Sequence, residues 1–191
     1  MNCEKVDAMT PPDAPLSPRS SAINEPPADK AAIDAATARS RSIATNLGAL
    51  VSIMMRSPEF RNHTLSELEV LVGPALAANH VAIVEARDPK TGIVAPVAAA
   101  LWAMVSADVD QRLSDVSIDK PRLEPKEWRS GPIPWIITAV GDQRALAALM
   151  EQLVSSRFPA TPPKIRVRDK EGRAQVGHVS RSTPTGAAQP L

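Results

Sequence analysis

A chain of 191 residues with net charge +1 has room for one buried core and carries no large basic field for nucleic acid. Aromatic residues make up 3% and tyrosine is absent, which argues against a stacking platform for single strands. Cys3 is the single cysteine, so an intrachain disulfide and a thiolate metal site are excluded. No apolar run reaches the roughly 18 residues needed to cross a bilayer, and the N-terminus lacks the apolar core of a signal peptide, so a cytoplasmic location is expected.

Residues 1–37 carry Pro11, Pro12, Pro15, Pro18, Pro26 and Pro27 among small and charged residues. Such a segment cannot offset its ordering entropy and is expected to be a disordered tail, as is 180–191, leaving one domain at 38–179. From Ala36, the residues Ile43, Leu47, Leu50, Val51 and Met54 recur at helical spacing, predicting an amphipathic helix that stops at Ser57-Pro58. Its Met54-Met55 pair reads as core packing rather than an acyl-binding surface. A second helix is expected from Thr64 or Ser66, with Thr64 and Glu67 spaced as a capping box, and Gly73-Pro74 is expected to interrupt it.

A strand over His80–Ala86 then leads through the turn Arg87–Gly92 into Ile93–Ser106, the run around which the chain is organised. It is apolar at even and odd positions alike, so both faces must be covered, and Pro96 argues against a helix. A short surface helix at Asp108–Leu113 and a polar loop over Asp119–Gly131 follow. Trp135–Val140 reads as a strand, Asp142 as the cap of a helix ending at Phe158-Pro159, and Lys164–Arg168 as a strand that Gln175–Val179 pairs back upon. The resulting class is α+β, with a mostly antiparallel or mixed central sheet flanked by helices.

Chemistry is sparsely signalled. There is no metal-ligand spacing, phosphate-binding glycine loop or nucleophile elbow, so neither metal nor bound cofactor is expected. His63, at the junction of the first two helices, reads by itself as a surface or capping residue, and His80, at a strand start, as structural. The helix N-terminus after Gly141 is a place for an anion, but Asp142 would already use some of its donors. Lys164, Arg166, Arg168 and Lys170 share one face and read as a solvated edge strand kept apart by charge.

Ser57-Pro58 followed by Arg61, Val72 with Pro74-Ala75 and Ala78-Asn79, Pro96-Val97-Ala98 with Trp102-Ala103, Glu127-Trp128 with Ser130-Gly131, Trp135, Gly141-Asp142 and Ile165-Arg166-Val167 occur in one order along the domain. In that order and spacing the chain from about Leu47 to Val179 resembles the toxin-activating lysine acyltransferases, which transfer a fatty acyl group from acyl carrier protein to lysines of RTX toxins. The resemblance implies a fold similar to that of the N-acetyltransferases, acyl carrier protein and an RTX-type acceptor as partners, and often a homodimer. It also exposes two departures: Phe60 stands where the family has its catalytic histidine, and Thr138 where it has its catalytic aspartate. A phenyl ring accepts no proton and a hydroxyl does not balance an imidazolium as a carboxylate does.

A divergent enzyme is expected to use His63, three residues beyond Phe60, as base, with Thr138 and Arg61 beside it. Trp102, Trp135 and Asn79 are then assigned to the acyl substrate. The alternative is a non-catalytic homologue that binds acyl carrier protein or a protein partner, and a third reading turns the fold to another acyl transfer.

Overall fold

The computed structural model describes residues 30–119 and 121–179; of the expected tails 1–37 and 180–191, residues 1–29 and 180–191 lie outside the described residues, while 30–37 is helical. Helix α1 spans Lys30–Arg56. It therefore begins earlier than periodicity indicated, because 30–37 is alanine-rich and alanine is the strongest helix former even where nothing packs on it. Only its second half reaches the core, through Leu50, Ile53 and Met54, while Met55 is 68% exposed, so the methionine pair divides between core and surface. Arg56 ties the end of the helix to the rest of the domain by donating to the Pro96 carbonyl.

Helix α2 spans Leu65–Ala78 and opens on the expected capping box: the Glu67 N–H donates to Thr64 Oγ1 at 3.3 Å, and the Thr64 N–H donates to Glu67 Oε2 at 2.8 Å. The expected break at Gly73-Pro74 does not occur. Val72, Ala75 and Leu76 are buried on both sides of Pro74, and that packing outweighs the lost backbone hydrogen bond. The helix ends instead at Asn79, whose φ of 57° is left-handed and whose N–H returns to the Leu76 carbonyl.

The remaining elements are β1 (Val81–Arg87), β2 (Val94–Val105), α3 (Ala107–Ser114), β3 (Ile133–Gly141), α4 (Gln143–Arg157), β4 (Lys164–Arg168) and β5 (Ala174–His178). They form one five-stranded mixed sheet in the order β1-β2-β3-β4-β5, antiparallel except for β3 against β4, and compatible with the N-acetyltransferase fold. Strand β2 has both faces covered, as its sequence requires. Ala99, Leu101, Ala103 and Val105 meet α1 and α2, whereas Ala100 and Trp102 meet Leu149 and Leu153 of α4. Pro96 is tolerated because pairing with β3 starts only at Ala98.

Two expectations are corrected by the sheet. The segment Asp119–Gly131 is not wholly loop: Pro125–Trp128 forms a 3₁₀ turn that buries Trp128 to 2% exposure, and the flanking polar residues had hidden this. Strand β4 is not an edge either, since β3 and β5 pair on its two sides.

Gly141 closes β3 with φ 123°, and a Cβ there would sit 2.6 Å from Ala98 Cα, backbone that the sheet holds fixed. Gly141→Ala combines left-handed strain with this collision and is expected to cost about 3 kcal/mol in urea unfolding. Gly48→Ala, in α1 where a Cβ meets nothing within 4 Å, is expected to gain up to about 1 kcal/mol in the same assay.

Candidate functional site

Between α1 and α2 the chain turns tightly. The Arg61 N–H donates to the Ser57 carbonyl at 3.0 Å and the His63 N–H to the Phe60 carbonyl at 2.9 Å. This turn brings Phe60 and His63 side by side, with ring centroids 5.2 Å apart. Phe60 packs on the core, whereas the His63 ring stays at the surface. Next to it, Glu67 is held below the usual carboxylate range, first by the Thr64 backbone N–H and then by its hydroxyl.

Strand β3 bends opposite this turn. Leu101 pairs with Thr138 and Trp102 with Ile136, so Ile137 is an extra residue and forms a β-bulge. Cross-strand partners share a face, which puts Thr138 on the α1/α2 side with Leu101, and Ile137 packs against the same core. The bulge falls where β3 leaves β4. Those two strands pair only at Trp135↔Lys164 and Ile136↔Ile165 and then part.

The parting leaves a wedge-shaped cavity of about 430 Å³, with Ile136 and Ile137 on one wall, Arg166 and Val167 on the other, and Glu59 at its rim. A second, more apolar chamber of about 290 Å³ lies beside it, walled by Leu71, Leu123 and Trp128, with His63 and Arg122 among its polar residues. Leu113, Pro121 and Ile137 line both, so the two spaces are neighbours across the bulge.

Helix α3 roofs this cleft and is fastened by charge. Asp110 accepts from Trp135 Nε1 at 2.7 Å and from Lys164 Nζ at 2.8 Å. Arg166 donates to the carbonyls of Leu113, Asp115 and Ile118, and Arg168 pairs with Asp119 at 2.6 Å. The cationic face of β4, expected to be solvated, is thus an anchor for α3 and the segment after it. Arg112 does the same for the 3₁₀ turn by pairing with Glu127, and its guanidinium holds that carboxyl below its ordinary range.

Of the residues named from sequence, the fold brings His63 and Trp135 to this cleft: His63 lines the chamber and Trp135 the wedge, whereas Thr138, 9% exposed beside the bulge, lines neither. Arg61 stands two residues before His63, exposed and without an ion pair among the described residues. Trp102 lies on the opposite face, between His80 and Phe158, and lines neither space. Asn79 caps the far end of α2, roughly 20 Å from its start by helix rise, and its backbone conformation accounts for it. His80 is structural as expected: burial, then Arg129, pushes its imidazole down, and it stacks on Trp102 at 5.6 Å. Asp142 spends its carboxylate on the Arg144 and Ala145 N–H groups, which closes the anion site considered there.

Sequence reading missed Glu59, Arg122 and Trp128. Glu59 directly precedes Phe60, and its carboxylate has no partner among the described residues. No periodicity marks such positions, because they become neighbours only through the turn at 57–63 and the 3₁₀ turn. Among the described residues there is no grouping of side chains suited to a metal ion, and no helix is long and apolar enough to cross a membrane.

A five-stranded mixed sheet flanked by helices, splayed at its one parallel pair, is compatible with an N-acetyltransferase-like fold. The family comparison agrees: the model of the RTX toxin acyltransferase family matches residues 40–181, and the chain belongs to that family. No curated protein matches the chain in a direct comparison.

Proposed function

We propose that this chain transfers a fatty acyl group from acyl carrier protein to a lysine of an RTX-type toxin. The observation that carries the reading is the adjacency of the wedge and the more apolar chamber across the β3 bulge, with His63 on the chamber wall. A carrier-bound thioester has the same division: a polar arm suited to strands with unpaired backbone groups, and an apolar tail suited to a space lined by Leu71, Leu113 and Leu123. The thioester carbonyl would then lie near Ile137, which lines both spaces.

The reaction needs little beyond placement, because a thioester is already activated. The lysine Nζ attacks the carbonyl carbon, the C–N bond forms, the C–S bond breaks, and the thiolate leaves. The attacking lysine is the neutral amine; as the C–N bond forms its nitrogen gives a proton to His63, and the resulting imidazolium returns that proton to the departing thiolate of the carrier arm.

A non-catalytic homologue that binds acyl carrier protein or a partner is the second reading, favoured by Phe60 and Thr138 at the family's histidine and aspartate positions. One assay separates them. An RTX-type protein is incubated with the purified chain and acyl-loaded carrier protein, and its lysines are read by mass spectrometry. Acylation above the no-enzyme level is expected. Its absence across a range of chain lengths, with folded protein, overturns the transferase reading and leaves the binding one.

A further inference from the structure

We infer that Trp128 is the end wall of the acyl-chain chamber and sets the longest fatty acyl group this chain accepts. The inference rests on the transferase reading given above. Trp128 lines the chamber that His63 also lines, and it lines a separate cavity of about 310 Å³ between the end of α2 and the 3₁₀ turn. Among the described residues it is the single one common to the two, so its indole is the partition between them. The far cavity is bounded by Pro74 and Ala77 on the helix side and by Pro125, Lys126 and Arg129 on the other.

The partition is held rigidly. Trp128 is 2% exposed and belongs to the main core. The turn that carries it is closed by Glu127, which accepts from the Glu124 N–H at 2.8 Å and pairs with Arg112. Immediately after it, Arg129 bridges to Met104 of β2. A wall anchored on both sides cannot swing aside for a longer tail at small cost, so chain length is limited by side-chain size rather than by loop motion.

The geometry also says what a smaller residue would do. Removing the indole joins two spaces of similar volume, and the added room runs on from the existing chamber. Each further methylene that becomes buried is worth roughly fourfold in relative specificity. The indole N–H is itself buried without a partner among the described residues, so an apolar replacement loses packing but removes an unsatisfied donor. Trp128→Leu is therefore the variant expected to stay folded, and Trp128→Ala opens the passage further.

The test is a competition. An equimolar mixture of carrier proteins loaded with a ladder of saturated chains is offered with one acceptor, and the product ratio is read by mass spectrometry for wild type, Trp128→Leu and Trp128→Ala. The ratio of chains beyond the wild-type optimum to the optimum itself is expected to rise at least about tenfold in both variants, whatever the total rate. Displacement of a fluorescent fatty acid by the same ladder of free fatty acids gives a readout that needs no transfer. There the tightest-binding length should move upward. An unchanged product ratio, or an unchanged length profile in the displacement assay, overturns the wall. If wild type transfers nothing, the transferase reading fails while the displacement profile still decides the role of Trp128.

Discussion

Asp110→Ala should destabilise the domain by about 3 kcal/mol in urea unfolding, one of the largest losses expected from a residue so near the surface. Its side chain is 17% exposed and that of Lys164 is 25%. One carboxylate satisfies the Trp135 indole N–H at 2.7 Å and, through its two oxygens, the Lys164 ammonium at 2.8 and 2.9 Å. Truncation leaves a fully packed indole donor and a half-buried cation without an acceptor, and the cost of stranding them exceeds the value of the pair itself. Residual solvent at Lys164 keeps the loss at the lower end for buried pairs. Lys164→Met in the Asp110→Ala background should return part of it, since the stranded charge is then gone. A loss below about 1 kcal/mol, or no recovery in the double variant, would show that α3 is held by the contacts of Val109 and Leu113 and by Arg166 and Arg112, without need of Asp110.

Such fastening was hard to read along the chain. The core strand was legible because β2 must be apolar on both faces, and the ends of α1, α2 and α4 were legible because Ser57-Pro58, Thr64 with Glu67, and Asp142 act locally on the backbone. The continuation of α2 through Pro74 was not, since it depends on Val72, Ala75 and Leu76 finding partners elsewhere in the domain. The alternation of Lys164, Arg166 and Arg168 does mark one face of a strand, but Lys170, expected on the same face, falls in the turn after β4. What that face meets is decided by carbonyls and carboxylates some 50 positions away, and no local pattern encodes those.

The site divides in the same way. The spacing of Phe60 and His63 was legible, and the turn does place their rings together. The β3 bulge was not, because an extra residue in a strand is visible only against its partner's register. Trp102 and Trp135 looked equivalent as large apolar residues in strands. They fall on opposite faces, so that Trp135 reaches the cleft while Trp102 packs under α4.

His63→Ala should lower acyl transfer by about 10²- to 10⁴-fold while leaving the unfolding midpoint within experimental scatter. The split is expected because His63 is exposed, its ring touches only that of Phe60 among the aromatic side chains described, and its backbone N–H bond to Phe60 survives the substitution. A base acts on the attacking lysine, so the loss should appear in kcat, with KM for the carrier-bound donor little changed. His63→Gln keeps a hydrogen-bonding group of similar reach but cannot take up the proton, and should be as inactive as the alanine variant. Equal activity of the His63→Gln variant and wild type would reduce His63 to a positioning group. If neither substitution costs more than about threefold, proton transfer is not the duty of His63. Glu59, whose unpartnered carboxylate lines the wedge on the same turn, is then the group to replace next: the turn carries one proton acceptor on each side of Phe60.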